Sequence, residues 1–158
     1  MALAGIRSTD RSVLSEFVPP EAFSEKREVI DEIFSLVLEN EAKPVEDFLH
    51  HLKVVDLNIR CEGWTPLHIA ACKGNVAMVA ILLDHGARIN SVTEHTQLTA
   101  LHIAAIWGHR DVVDLLLARS AKRSIKSCDG RTASQLAKGN CLTDIARQIK
   151  NYKKTSRL

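Results

Sequence analysis

Two seven-residue segments of this chain differ at a single position, and a degenerate form of them occurs a third time. Residues 65–71 read TPLHIAA, residues 99–105 read TALHIAA and residues 132–137 read TASQLA, at offsets of 34 and 33 residues. After the first copy, GNVAMVAILLDHGARIN aligns without a gap with GHRDVVDLLLARSAKRS after the second. A fixed period of this length is typical of a solenoid, in which each copy forms one structural unit.

Each copy predicts two short helices joined by a tight turn. Thr65 is suited to cap a first helix that begins at Pro66, where the missing N–H costs nothing. Gly74 supplies a left-handed stop, after which apolar residues recur at helical spacing on a second helix. These apolar residues are Met78, Val79, Ile81 and Leu82. Such a pair cannot bury its apolar side alone and must stack on neighbouring pairs.

These residues resemble the ankyrin repeat, whose signature is T-P-L-H-x-A. The resemblance implies an all-α ankyrin-repeat solenoid of stacked helix-turn-helix units with hairpin loops, in which two clear repeats lie between degenerate N- and C-terminal capping repeats. The repeat domain is expected over residues 29–149. We expect a flexible arm at residues 1–28, an N-cap repeat at 29–61 and two clear repeats at 62–95 and 96–128. A C-cap repeat at 129–149 and a basic tail at 150–158 follow.

Several residues differ from the family pattern. Thr96 and Gln97 stand where the family has Asp and Gly at a hairpin tip. Ser120 stands where the preceding copy has the left-handed Gly86, and we expect a modest strain cost there. The resemblance also implies that the histidines of the signature, His68 and His102, tie neighbouring loops together by hydrogen bonds.

Composition and motifs argue against several classes of protein. Apolar residues make up 46% and charged residues 25% of the chain, which is ordinary for a globular domain. The sequence has no apolar run of membrane-spanning length and no signal-peptide h-region, so we expect a cytoplasmic or nuclear protein without a membrane partner. It contains none of the common nucleotide-binding, hydrolase or metalloprotease motifs. We therefore expect no enzyme activity, no cofactor and no metal.

The four cysteines and the remaining histidines do not follow the spacing of a metal site or a disulfide framework. Cys61 and Cys128 occupy equivalent loops two repeats apart, and Cys72 and Cys141 are separated in the same way. Stacked repeats lie about 10 Å apart, whereas a disulfide needs Cα atoms within about 7 Å. We expect free structural thiols.

Charge is distributed unevenly along the chain. Residues 1–60 hold seven basic and twelve acidic residues, whereas residues 61–158 hold fourteen basic and seven acidic ones. This asymmetry favours a partner with an acidic surface, and it suggests that the acidic N-terminal part folds over the basic face. The alternative is a nucleic-acid- or chromatin-associated regulator that uses the basic C-terminal face, although stacking aromatics are scarce there. The predicted basic patch consists of Arg119, Lys122, Arg123 and Lys126.

In proteins similar to this one, partners contact the hairpin tips and the exposed side of the first helices. Both tryptophans fall at such positions, and aromatic residues flanked by Lys or Arg are common in binding hot spots. The alternative for Trp64 and Leu98 is packing against neighbouring hairpins. The predicted partner-binding residues are Trp64, Cys72, Lys73, Leu98, Ile106, Trp107 and Arg131, with Trp107 the leading candidate.

The sequence thus predicts a monomeric, non-catalytic interaction module, an adaptor, scaffold or inhibitor, whose protein partner has an acidic and apolar surface. A third alternative is based on the last three residues, Ser156, Arg157 and Leu158. They resemble the peroxisomal S-K-L signal and also suit a PDZ-type groove, so an organelle-directed protein is an alternative to a solvated tail.

Overall fold

The computed structural model describes residues 24–51 and 56–153. Within these ranges the chain forms eight α-helices arranged as four pairs, as the resemblance implies. The helices are α1 (Ser24–Glu39), α2 (Ala42–His51), α3 (Pro66–Lys73), α4 (Val76–Asp84), α5 (Ala100–Trp107), α6 (Arg110–Ala118), α7 (Ala133–Gly139) and α8 (Thr143–Asn151).

The four pairs stack in chain order and form two layers of helices. The first helices of the pairs, α1, α3, α5 and α7, contact one another in sequence, and so do the second helices, α2, α4, α6 and α8. The core lies between the layers and is continuous from Ile33 to Ile149, both of which are buried. The small residues Ala70 and Ala104 are fully buried, which allows adjacent helices to approach closely.

The first helices of the last three repeats begin at equivalent threonines. Thr65, Thr99 and Thr132 are N-caps with extended backbone, and each forms a capping box with the residue three positions later. In the last repeat Thr132 N donates to Gln135 Oε1 at 2.9 Å. The predicted start of the first clear helix at Pro66 is confirmed.

Each first helix is followed within two residues by a residue in the left-handed conformation. Gly74 and Gly108 have φ values of 73° and 81°, and the non-glycine residues Asn40 and Cys141 take the same place with 64° and 63°. Glycine adopts this conformation without the steric cost that other residues pay. The expectation for Ser120 is confirmed, since its φ is 67°.

Two expected boundaries differ from the structure. Helix α1 begins at Ser24, so residues 24–28 belong to the first helix pair and not to the arm. These residues include Glu, Lys and Arg, which have high helix propensity. Helix α8 extends to Asn151, two residues into the expected tail, because Arg123 Nη1 donates to Ile149 O and Lys150 O near its end.

Candidate binding surface

A row of hairpins forms one edge of the stack. In the first hairpin, Cys61 and Trp64 exchange backbone hydrogen bonds of 2.8 and 2.9 Å. Adjacent hairpins are also joined by backbone hydrogen bonds. Glu94 N donates to the carbonyl oxygen of Gly63 at 3.1 Å, and Cys128 N donates to the carbonyl oxygen of Thr96 at 3.0 Å. The hairpin tips are therefore held in fixed register along the edge.

Two buried histidines connect the first helices to these hairpins. His68 Nδ1 accepts a hydrogen bond from Thr65 N at 3.1 Å, so Nε2 carries the proton and donates to Ser91 O at 2.9 Å. His102 repeats the arrangement, with Nε2 lying 3.3 Å from Arg131 O. Burial lowers the pKa of His68 to about 4 and also lowers the pKa of His102. Both rings are neutral structural links, as the resemblance implies.

The opposite ends of the first helices are cross-linked by side chains that the sequence reasoning missed. Asn75 Nδ2 donates to Asn40 O, and His109 Nε2 donates to Cys72 O, both at 2.9 Å. Between the last two pairs, Asn140 Nδ2 donates to the carbonyl oxygen of Ile106 at 3.3 Å. In the sequence, the only sign of these cross-links is a polar residue that directly follows or directly precedes the left-handed residue. His109, which the sequence left without a role, is thus part of the scaffold.

Trp107 is the most exposed large apolar side chain in the described residues. Its side chain lies in the last turn of α5 and is 55% exposed, whereas the first six residues of the same helix are buried. Ile106 beside it is half-buried, and Lys73 at the equivalent position of α3 is exposed. The three predicted residues therefore lie along the same end of adjacent first helices.

The other predicted partner-binding residues differ in exposure. Trp64, Leu98 and Cys72 are half-buried and pack against the core. The Trp64 ring stands perpendicular to the ring of His68, with centroids 6.1 Å apart. Arg131 is exposed at the third hairpin. Thus Trp64 and Leu98 take part in packing, and the exposed part of the predicted surface is centred on Trp107.

The predicted basic patch separates into two kinds of residue. Arg119 Nη1 lies 2.6 Å from Asp84 Oδ1 of the preceding repeat, and Arg123 donates to the carbonyls at the end of α8. Lys122 and Lys126 are exposed and make no ion pair with another described residue. The patch therefore offers two lysines to a ligand, while both arginines already have protein partners.

The acidic charge of residues 1–60 lies mainly in the first helix pair and not in the segment before it. Residues 1–23 carry three acidic and two basic side chains. This charge gives no support to the expectation that the N-terminal segment covers the basic face as a polyanion. The exposed acidic residues of the first pair and its loop are Asp31, Glu32, Glu39, Glu41, Glu46 and Asp47.

The cysteines are free thiols. Burial raises the pKa of Cys61 and Cys72, and the charges of Glu62 and Asp31 add to the effect at Cys61. A raised pKa lowers the thiolate fraction, so neither residue is activated as a nucleophile.

A shallow polar groove between α6 and α8 is lined by two arginines around one carboxylate. Asp144 lies 3.9 Å from Arg110 and 3.7 Å from Arg147, and all three side chains are well exposed. Surface ion pairs of this kind contribute little binding energy. In residues 24–51 and 56–153, no group of three or more His, Cys, Asp or Glu is placed to hold a metal ion.

The last three residues, Ser156, Arg157 and Leu158, lie outside the described residues. Their role as a targeting or PDZ-type signal stays a prediction. Among the helices described, none has the length and apolar character that crossing a membrane requires.

Comparison with known proteins agrees with the geometry. The family model for ankyrin repeats (3 copies) matches residues 31–127. The chain is 33% identical over 93 residues to neurogenic locus notch homolog protein 1 of Xenopus tropicalis, a match that covers 49% of this chain and 4% of that protein. It is 30% identical over 102 residues to BRCA1-associated RING domain protein 1 of Caenorhabditis elegans, covering 65% of this chain and 14% of that protein.

The chain is also 41% identical over 59 residues to alpha-latrotoxin-Lhe1a of Latrodectus hesperus, a match that covers 37% of this chain and 4% of the toxin. The chain therefore spans only a small part of the length of the relatives it matches. What it shares with them is the repeat. With its helix pairs, capping boxes and stacked hairpins, and with a family model that matches most of its length, the chain belongs to the ankyrin-repeat family.

Proposed function

We propose that this chain is a non-catalytic binding module that holds a protein partner on the surface around Trp107. Ankyrin repeats generally serve as protein–protein interaction modules, and the family is a non-enzymatic interaction fold. One relative, BRCA1-associated RING domain protein 1, bears an association with another protein in its name. An adaptor, a scaffold and an inhibitor would all act through the same occupation of a partner's surface.

The exposure of Trp107 is the observation that carries this proposal. An indole that is 55% exposed at the end of an otherwise buried helix leaves apolar surface in water. Aromatic residues in such positions dominate the energetics of interfaces. The neighbouring Ile106 extends the apolar area, and Lys73 adds a positive charge at its border. A partner that presents apolar and acidic side chains fits this surface.

A capture experiment with matched variants tests the proposal. The full chain, Trp107→Glu and Val76→Glu are used as baits in nuclease-treated lysate of source cells. Val76 is the control because it is also an exposed apolar residue, at 37%, but lies at the start of α4. We expect a defined protein that Val76→Glu retains and Trp107→Glu loses by at least tenfold, which corresponds to about 1.4 kcal/mol.

Two results would contradict the proposal. Partners that Trp107→Glu retains in full would move the site away from this surface. Recovery that appears only when the nuclease is omitted, and that Lys122→Glu with Lys126→Glu abolishes, would instead establish the nucleic-acid alternative. Folding of each variant is checked by thermal unfolding.

We also propose a cytoplasmic or nuclear location and a monomeric state. A fusion after Leu158 is expected to distribute like a fusion before Met1, and a punctate pattern lost only in the former would establish the peroxisomal alternative.

A further inference from the structure

Four equivalent side chains form a row along the ends of the first helices. Each of these residues directly precedes one of the four left-handed residues that follow the first helices, so it has the same place in its repeat. The members lie at offsets of 34, 34 and 33 residues in the sequence, and all of them are exposed. They are Glu39, Lys73, Trp107 and Asn140. We call this row the helix-end strip.

Side chains of neighbouring repeats hold the strip at a fixed spacing. The carbonyl oxygens of Cys72 and Ile106, which directly precede two members of the strip, accept hydrogen bonds from the following repeat. The donors are His109 Nε2 at 2.9 Å and Asn140 Nδ2 at 3.3 Å. Packed helices lie about 8–10 Å apart, so successive side chains of the strip are separated by about the same distance.

The charges of the strip have no partners in the described part of the chain. Neither Glu39 nor Lys73 forms an ion pair with another described residue. Trp107, the next member, has an indole that is 55% exposed. The strip therefore presents a carboxylate, an ammonium group and an aromatic ring in a fixed order, each to a different side chain of a ligand.

A second row, which is apolar, borders the charged one. It consists of the residues directly before the first three members of the strip, which are half-buried. These residues are Leu38, Cys72 and Ile106. They give the residues of a ligand that lie between its charged and apolar contacts an apolar surface to cover.

The spacing of the strip matches one extended conformation of a ligand. A polyproline II helix has three residues per turn and rises about 3.1 Å per residue, so every third side chain returns to the same face after about 9.3 Å. In a β-strand, side chains on one face are only about 6.6 Å apart. An α-helix needs seven residues, or about 10.5 Å, and its body is about 10 Å wide. The polyproline II repeat lies within the spacing of packed helices and suits a strip one residue wide.

We propose that the helix-end strip binds a polyproline II segment that carries a basic, an acidic and a large apolar residue at successive third positions. The basic residue faces Glu39, the acidic residue faces Lys73 and the apolar residue packs on Trp107. This inference rests on the proposed function, because it defines the partner of the same surface by the order and spacing of its side chains. Aromatic surfaces bind such segments at a low cost in ordering entropy, since the conformation is already formed in solution.

Synthetic peptides test the proposed ligand on the full chain. The probe is a fluorescein-labelled peptide of sequence RPPEPPL, and the reversed sequence LPPEPPR covers the opposite chain direction. Binding is followed by fluorescence anisotropy at low ionic strength, where exposed charges are least screened. We expect one of the two peptides to bind, with an affinity that Trp107→Glu lowers at least tenfold. Val76→Glu, the control at the other exposed apolar residue, should leave the affinity unaltered.

Charge exchange tests the two polar contacts separately. Glu39→Lys should weaken binding about three- to tenfold, and a probe with Glu in place of Arg should recover it. Lys73→Glu should act in the same way and be rescued by a probe with Lys in place of Glu. Glu46→Lys on α2 and Lys126→Glu in the third hairpin make the same charge changes at exposed positions outside the strip and should have no effect. Recovery by a complementary probe cannot arise from a loss of folding.

Three results would overturn this inference. They are failure of both peptides to bind, losses that no complementary probe restores, and tighter binding of a helical peptide with the same side chains at seven-residue spacing. The capture experiment separates these results from the proposed function. A cellular partner that Trp107→Glu loses, but that Glu39→Lys and Lys73→Glu retain in full, would leave the function standing and refute the ligand. A probe that follows the charge exchange while no cellular protein depends on Trp107 would support the ligand and refute the function.

Discussion

At the scale of single residues, this molecule is organised by a few side chains that each serve two neighbours. The His68 ring accepts from the N-terminus of its own helix and donates to the loop of the next repeat. Asn75 caps α4 through Met78 N and also holds Asn40 O of the preceding pair. Each such residue couples local helix formation to stacking, so its loss affects two repeats at once.

Acid should destabilise the fold through His68. The unfolded ring has a pKa near 6.5, and burial lowers the folded value to about 4. The stabilising contribution is therefore complete above pH 6.5 and is lost as the pH falls from 6.5 towards 4, because only the unfolded chain binds the proton there. We expect a loss of up to about 1.4 kcal/mol per pH unit over this range.

Urea unfolding at pH 7.5 and pH 5 measures this effect in the wild type and in His68→Gln. The last repeat shows that an amide can take over the cap, since Gln135 Oε1 accepts from Thr132 N at 2.9 Å. The variant should therefore fold and show a smaller difference between the two pH values. His95→Gln, at an exposed hairpin tip, is the control. An equal pH dependence in wild type and His68→Gln would contradict the assignment of the neutral ring.

Replacing Cys141 with glycine should stabilise the fold. It occupies the left-handed position with φ 63° where the two preceding repeats have Gly74 and Gly108. Cys141→Gly should raise the free energy of unfolding by about 0.5–1 kcal/mol, since the steric cost exceeds the entropy that glycine loses. Thermal unfolding measures this change in stability. The control is Cys128→Gly, because Cys128 is also exposed but has no positive φ, and this variant should be destabilised or unchanged. A lower melting temperature for Cys141→Gly would refute this reading of the backbone.

At the scale of elements, ends of helices are stabilised by residues from other repeats. Arg123, in the loop after α6, donates from Nη1 to the carbonyls of Ile149 and Lys150 at 2.9 and 3.1 Å. These are among the carbonyls that lack a partner within helix α8. The charge of the guanidinium also suits the negative end of the helix dipole. The last helix thus depends on a residue that the sequence assigned to a ligand-binding patch.

Arg123→Ala should therefore destabilise α8, whereas Lys122→Ala should not. We expect a loss of about 1 kcal/mol for Arg123→Ala, allowing for the exposure of the charged group. Hydrogen exchange of the amides in α8 should be faster in Arg123→Ala and unchanged in Lys122→Ala, whose side chain is exposed. Equal protection of α8 in both variants would show that the two carbonyl contacts contribute nothing.

At the scale of the whole molecule, the repeat made most of the architecture predictable. The period, the Thr-Pro start and Gly74 identified the helix pairs, and the same register identified Ser120 as a left-handed residue. These features are local, so they can be read from the chain one unit at a time. The start of α1 was not predictable in this way, because no preceding unit marks its register.

The candidate surface was less predictable than the fold, since exposure and ion pairing depend on residues about one repeat away. The sequence could not show that Arg119 pairs with Asp84, 35 positions earlier. The sequence ranked Trp107 above Trp64 as a contact residue, but it left open whether Trp64 packs or binds, because both follow the same alignment rule. The difference arises from the hairpin side of the stack, where Trp64 has the His68 ring to pack against.

Site-specific photocrosslinking in source cells tests the central claim, which is that this repeat module binds a protein through Trp107. A benzophenone amino acid replaces Trp107 in one variant of the full chain and Val76 in the other. We predict a discrete crosslinked protein from position 107 and none of the same mass from position 76, because only the first lies on the proposed surface. Equal crosslinks from both positions, or a product from position 76 alone, would contradict the claim.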